Sequence, residues 1–181
     1  MSRIRFVFSG SGGQGVITAA IVLAEAAVMH ENLIAVQAQA YGPEARGGAT
    51  RSDVIIDDKE ILFPKVIQPN FLVCLTQEAY HKFSPIVRPG GTLLSDSGIV
   101  KTHKKADARQ VQIPLYENVM KEIKKPIVFN ICMLGAVVAL TETVKLESII
   151  KVLETRIPSE FINMNKQALD LGFSLGEQNR M

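Results

Sequence analysis

Ser9-Gly10-Ser11-Gly12-Gly13-Gln14-Gly15-Val16 is the segment of this 181-residue chain whose residue types and spacing best suit ligand chemistry. Gly10, Gly12 and Gly15 satisfy the G-x-G-x-x-G spacing of a loop that turns sharply from a strand into a helix. Its free N–H groups and the positive end of the following helix dipole favour a phosphate or pyrophosphate. Ser9 and Ser11 offer hydroxyl donors, and Gly10, Ser11, Gly12, Gly13, Gln14 and Gly15 are the candidate binding residues. A tight turn that packs a helix on a sheet and holds no ligand is the plainer alternative. A dinucleotide needs an acidic residue about 20 positions on, to hold the ribose hydroxyls. Ala38, Gln39 and Ala40 stand at the end of the second strand, while Glu31 precedes that strand and Glu44 lies in the loop after it. A nucleoside triphosphate fits no better, because no Lys-Ser or Lys-Thr follows the glycines.

A second constellation, Tyr41-Gly42-Pro43-Glu44-Ala45-Arg46-Gly47-Gly48, sets an aromatic ring, a carboxylate and a guanidinium among glycines. Tyr41, Glu44, Arg46, Gly47 and Gly48 are candidates for a rigid loop presented to a partner or substrate, with Arg46 able to grip a carboxylate or phosphate through two hydrogen bonds. The alternative is an ordinary surface loop whose Glu44 and Arg46 pair in solvent. No catalytic residue and no metal site is assigned. Cys74 and Cys132 are the only cysteines, each inside an apolar run, and read as small core residues. Two isolated thiols cannot supply the roughly four thiolates of an iron–sulfur cluster. His30, His81 and His103 are far apart in sequence, lack a helical i, i+4 partner, and read as solvated.

The elements that must position these residues alternate between strand and helix. Arg3 to Phe8 is a strand, Gly15 to His30 an alanine-rich helix, and Leu33 to Ala38 a strand of the buried type, which together resemble a β-α-β crossover. Gln39 to Thr50 is a loop. Ser52 to Asp57, the turn Asp58-Lys59 and the return Glu60 to Phe63 suggest a β-hairpin. Phe71 to Thr76 is a buried strand, Gln77 to Phe83 a short helix, Pro89-Gly90-Gly91 a turn, and Thr92 to Ser95 a strand. After a lysine-rich solvated stretch at Lys101 to Lys105, Val111 to Ile113 is a short strand and the chain is helical to about Leu175. The expected fold is an α/β/α three-layer, Rossmann-like domain over residues 1–181, with a mixed, mainly parallel sheet, a β-hairpin and a helical C-terminal part.

With 47% hydrophobic and 21% charged residues the chain has the composition of a folded globular protein rather than a disordered one. A formal charge of +2 with no basic stripe gives no footprint for nucleic acid. Glycines interrupt the N-terminal apolar run before it reaches the ~7–15 residues of a signal-peptide core, so a cytoplasmic location is expected. The longest apolar run, Ile127 to Leu140, is interrupted by Asn130 and is shorter than the ~20 residues of a membrane span. A buried helix is expected there.

Three features in order carry a family resemblance: the Gly10-Ser11-Gly12-Gly13-Gln14-Gly15-Val16 loop, the Tyr41-Gly42-Pro43-Glu44-Ala45-Arg46-Gly47-Gly48 string, and Pro89-Gly90-Gly91-Thr92 before a strand. The chain resembles, over essentially residues 1 to 175, the γ subunits of 2-oxoacid:ferredoxin oxidoreductases and the equivalent domain of fused pyruvate enzymes. Ala45 between Glu44 and Arg46, with Gln77-Glu78-Ala79-Tyr80 after the central strand, looks most like the 2-oxoglutarate members. The resemblance implies a hetero-oligomeric complex that decarboxylates a 2-oxoacid on thiamine diphosphate, passes two electrons through iron–sulfur clusters to ferredoxin, and gives the acyl group to coenzyme A. It implies no cofactor in this chain, with thiamine diphosphate and the clusters on partner subunits, and a place for the coenzyme A pyrophosphate at Gly10 to Gly15. A free-standing nucleotide- or flavin-binding module, or a purely structural subunit, are the alternatives.

Overall fold

The computed structural model describes residues 3–39, 48–103 and 107–180. Its elements are β1 (Ile4–Gly10), α1 (Val16–His30), β2 (Ile34–Gln39), β3 (Thr50–Asp57), β4 (Phe71–Cys74), α2 (Gln77–Phe83), β5 (Gly91–Asp96), β6 (Ala108–Ile113), α3 (Leu115–Glu122), α4 (Phe129–Thr141), α5 (Leu146–Arg156) and α6 (Ser159–Gln178). The strands form one sheet in the order β2-β3-β1-β4-β5-β6. β1, β4, β5 and β6 are parallel neighbours, whereas β3 runs antiparallel to both β1 and β2. β2 therefore points the same way as β1, as a crossover through α1 requires, but β3 is inserted between them.

β1 is central because its residues are apolar on both sides. Phe6 and Phe8 point to one face and Val7 to the other, and all three are buried. Such a run belongs to a strand covered on both faces. The covers are unequal. Helices α1, α3, α4, α5 and α6 all contribute to the core on the Phe6 side. On the Val7 side, among the described residues, the cover is the short α2 and the single 3-10 turn after it, joined by Val66 and Val100 from irregular chain.

The expected return strand over Glu60 to Phe63 does not form. β3 is already paired along both edges, by β1 and β2, so no edge remains for it. The antiparallel partner of β3 is instead the preceding strand β2, with Ile34 opposite Asp57 and Gln39 opposite Ser52. Leu62 and Phe63 are left exposed.

α4 is the buried helix expected from the apolar run, with residues from Phe129 to Ala139 enclosed around its whole circumference. α6 packs along it through missing side chains. A Cβ added at Gly135 would collide with the carbonyl oxygen of Leu169, and one at Gly172 with that of Cys132. A Cβ at Gly176 would stand 2.8 Å from the Ala136 carbonyl oxygen. The two helix backbones touch along this seam. Among the described residues no helix is long and apolar enough to cross a membrane.

Candidate anion-binding site

The glycine loop stands where the winding of the sheet reverses. β1 and β4 are neighbours, yet the chain leaves β1 into α1 on one face and β4 into α2 on the other. The crevice outside the carboxyl ends of two such strands is where open α/β sheets hold ligands.

The loop's four glycines divide by what their missing Cβ leaves free. A Cβ on Gly10 would press on Val16 Cγ1 at 3.2 Å and Leu75 Cβ at 3.3 Å, as well as on the Gln14 carboxamide. Gly15, at the N-cap of α1 with φ of +71°, abuts the Asn130 side chain. Gly12 and Gly13 have nothing within 4 Å of the Cβ position, and Gly13 has φ of +88°. The first and last glycines of the motif thus serve the turn and the helix–sheet contact, and the middle pair leaves bare backbone facing solvent.

The side chains around these glycines are less available than the sequence suggested. Ser9 is buried, and its hydroxyl donates to the Val73 carbonyl at 2.5 Å, so it ties β1 to β4 instead of facing a ligand. Ser11 is exposed. Gln14 folds inward: its Oε1 accepts from the Ser11 N–H at 2.7 Å, and its Nε2 donates to the Leu75 carbonyl at 3.4 Å. It braces the loop against the chain leaving β4.

A cleft of about 550 Å³ opens beside Gly13, Gln14 and Gly15. Its far wall comes from Tyr116 at the start of α3 and from Ile127, Phe129 and Asn130 at the start of α4. Tyr116 and Phe129 meet edge to face, with centroids 5.5 Å apart. Asn130 Nδ2 donates to the Gly15 carbonyl at 3.4 Å, joining the two helix N-termini. Neither α1 nor α4 carries an acidic residue in its first turn; the N-terminus of α1 has no side-chain cap, whereas the first N–H of α4, that of Phe129, donates to the Pro126 carbonyl. The end of α3 is answered internally. Asp96 Oδ2 accepts from the Tyr116 N–H at 2.7 Å and Oδ1 from the Gly98 N–H at 2.8 Å. Burial pushes the Asp96 carboxyl pKa up, against the pull of these N–H groups. Among the described residues no carboxylate lines the cleft and Tyr116 is its one ionisable side chain, so these residues can bind and orient but supply no acid–base pair.

The remaining candidates fall elsewhere. Tyr41, Glu44, Arg46 and Gly47 lie outside the described residues. Gln39 and Gly48, which flank that stretch, emerge at the same end of the sheet as the glycine loop, since Gly10 pairs with Thr50 and Gln39 with Ser52. Cys74 and Cys132 are buried in cores on opposite faces of the sheet, and burial pushes each thiol up to about 12. They cannot share a cluster. The histidines are not all separate, as their distance in sequence suggested. His81 and His103 meet with ring centroids 5.1 Å apart, beside Tyr80, and the Gln77 carboxamide links His81 to the Lys101 carbonyl. No group of three or more possible metal-ligating side chains occurs among the described residues.

Asn130 and Tyr116 were not among the sequence candidates. Asn130 did carry a signal, as the polar break in an otherwise apolar helix. Tyr116 carried none, because only packing of α3 against α4 brings it to the loop.

A mixed α/β sheet with helices on both faces and a glycine loop at its reversal point defines a Rossmann-like domain. The chain belongs to the pyruvate ferredoxin/flavodoxin oxidoreductase family, whose sequence profile matches residues 5–175. It is 44% identical over 172 residues to 2-oxoglutarate synthase subunit KorC of Methanocaldococcus jannaschii, covering 94% of this chain and 92% of that one. A keto/oxoacid ferredoxin oxidoreductase gamma subunit from Geobacter sulfurreducens superimposes with a TM-score of 0.87 at 39% identity, over 96% of this chain and 98% of that one. The same fold recurs, at 20% identity and a TM-score of 0.88, within a longer chain of the 2-oxoglutarate:ferredoxin oxidoreductase from Magnetococcus marinus, covering 98% of this chain and 32% of that one.

Proposed function

We propose that residues 1–181 act as one domain, the γ-type subunit of a thiamine-dependent 2-oxoglutarate:ferredoxin oxidoreductase, a cytoplasmic complex. In that reaction 2-oxoglutarate loses CO2 and two electrons, ferredoxin is reduced, and the succinyl group passes to coenzyme A. The observation that carries this reading is the near full-length 44% identity to a 2-oxoglutarate synthase subunit. Thiamine diphosphate and the iron–sulfur clusters sit on partner subunits, since the two buried thiols here do not fit a cluster. The chain alone is colourless and inactive.

Its contribution is to receive a phosphate-bearing part of coenzyme A. The open backbone at Gly12 and Gly13, the uncapped N-terminus of α1, and the lack of a lining carboxylate among the described residues support an anionic ligand at this loop. The apolar wall from Ile127 and Phe129 suits the uncharged remainder of such a ligand. Affinity of the free subunit is weak, because neighbouring chains supply the other contacts.

Two measurements on the assembled complex test this. Turnover with pyruvate, 2-oxoglutarate, branched-chain and aryl oxoacids should show a clear preference for 2-oxoglutarate, and preference for any other substrate overturns that assignment. Gly12→Val fills only open space, so it should raise KM for coenzyme A by about 10-fold or more with little change in KM for the oxoacid. An unaltered coenzyme A dependence in a folded, assembled variant makes the loop a packing turn. Gly13 is the poorer probe, since its positive φ would strain any side chain.

A further inference from the structure

Arg5, Lys65 and Arg88 line a cleft of about 590 Å³ at the amino-terminal ends of β1, β4 and β5, the end of the sheet opposite the glycine loop. Phe63 and Ile67 form its apolar side, and among the described residues no carboxylate lines it. Among the described residues none of the three cations has an ion-pair partner.

The chain beside this cleft is hydrogen-bonded near its ends and packs on the core through Ile61. Arg3 donates to the Glu60 carbonyl at 2.9 Å. At the other end the Val66 N–H donates to Asp53 Oδ2 at 3.0 Å, and the Val66 carbonyl accepts from Arg51. Residues 61–65 between them make no backbone hydrogen bond among the described residues. Leu62 is 83% exposed, Phe63 58% and Ile67 73%. Each is large enough for its burial against a partner to be favourable. Three neighbouring apolar side chains on an anchored arm, rimmed by unpaired cations, have the composition of an interface rather than of a solvated face.

We propose that the 60–68 arm and its cation-lined cleft are a docking surface for another polypeptide of the complex, through a segment that carries carboxylates beside apolar side chains. The proposal rests on the reading of this chain as a subunit. The charge decides the occupant: guanidinium and ammonium groups with no ion-pair partner and no carboxylate beside them in the cleft lining, among the described residues, call for carboxylates. A small anion would satisfy the cations but leave Leu62 and Ile67 in water, whereas a polypeptide segment covers both. The apolar contacts supply the burial, and the cations supply register and association rate.

The test uses the complex assembled by co-expression and two double variants of this chain, Lys65→Glu with Arg88→Glu and Leu62→Ser with Phe63→Ser. These side chains are exposed, so the free variants should melt within about 3 °C of the wild type. Each pair should weaken binding of the chain to the remaining subunits by about 10-fold or more. Added salt should weaken the wild-type association and leave the charge-reversed one nearly unchanged. A photo-crosslinker at position 63 should capture a partner peptide containing Asp or Glu.

Unchanged affinity in both double variants overturns the proposal, and so does a captured peptide without acidic residues. Normal assembly of a charge-reversed chain that has lost binding of inorganic pyrophosphate makes the cleft a small-anion site and overturns it too. In each of these cases the subunit reading stands. A wild-type chain that does not associate with thiamine-binding and ferredoxin-like subunits overturns both.

Discussion

Gly12 and Gly13 in the loop after β1 face open space, whereas Gly135 on α4 and Gly172 on α6 face the backbone of the opposing helix. The missing side chain leaves room for a ligand in the first region and for a second main chain in the other. A glycine's role is therefore read from what occupies its Cβ position, not from the motif it completes. Gly10 and Gly15 make the same point within one motif: they belong to the glycine fingerprint but behave like the glycines of the α4–α6 seam.

The comparison breaks most visibly at the seam. Gly172→Val would drive a branched side chain into the Cys132 carbonyl, where α4 has no room to withdraw between α6 and the sheet. We expect a loss of about 3 kcal/mol or more in urea unfolding, or an insoluble chain. A folded variant within 1 kcal/mol of wild type, as a rough threshold, would show that the helices can separate.

A smaller effect is expected at the end of the loop. Gly15→Val meets both the positive φ and the Asn130 side chain, and should destabilise by about 1–3 kcal/mol. Adding Asn130→Ala should recover part of that loss, because it removes the Nδ2 and Cγ contacts at 2.5 and 2.8 Å and leaves the Cβ contact at 2.9 Å and the backbone strain. A double variant no more stable than Gly15→Val alone would place the whole cost in the backbone and that remaining contact.

The smallest effect on stability is expected where the functional effect is expected to be largest. Gly12→Ala should leave the unfolding free energy within about 0.5 kcal/mol of wild type, since its Cβ has nothing within 4 Å. Destabilisation well beyond that would mean the loop is packed in solution and would remove the distinction between Gly12 and Gly10.

Much of the fold was legible in the sequence because its signals are local. Phe6, Val7 and Phe8 announce a strand buried on both faces, and the alanines after Gly15 announce a helix that can lie close on a sheet. Gln77–Phe83 has the bounds expected of it. The return strand over Glu60 to Phe63 was misread for a reason no local pattern shows: both edges of β3 are occupied, one of them by a strand far earlier in the chain. That error matters, because the residues left without a strand partner form the exposed arm beside Arg5, Lys65 and Arg88.

The candidate site divides along the same line. The residue order by itself determined that a strand, a glycine loop and a helix would place free N–H groups at a positive helix end, since each requirement is met within a dozen residues. It also determined that no acid for a ribose and no cluster of cysteines was available. Only the tertiary structure decided which glycines are open, that Ser9 and Gln14 are spent on internal hydrogen bonds, and that Asn130 and the N-terminus of α4 complete the cleft. Ser9 and Gln14 reach the strand and chain end 64 and 61 residues on, and Asn130 reaches Gly15 across 115 residues through the packing of α4 on the sheet, and no spacing along the chain encodes those approaches.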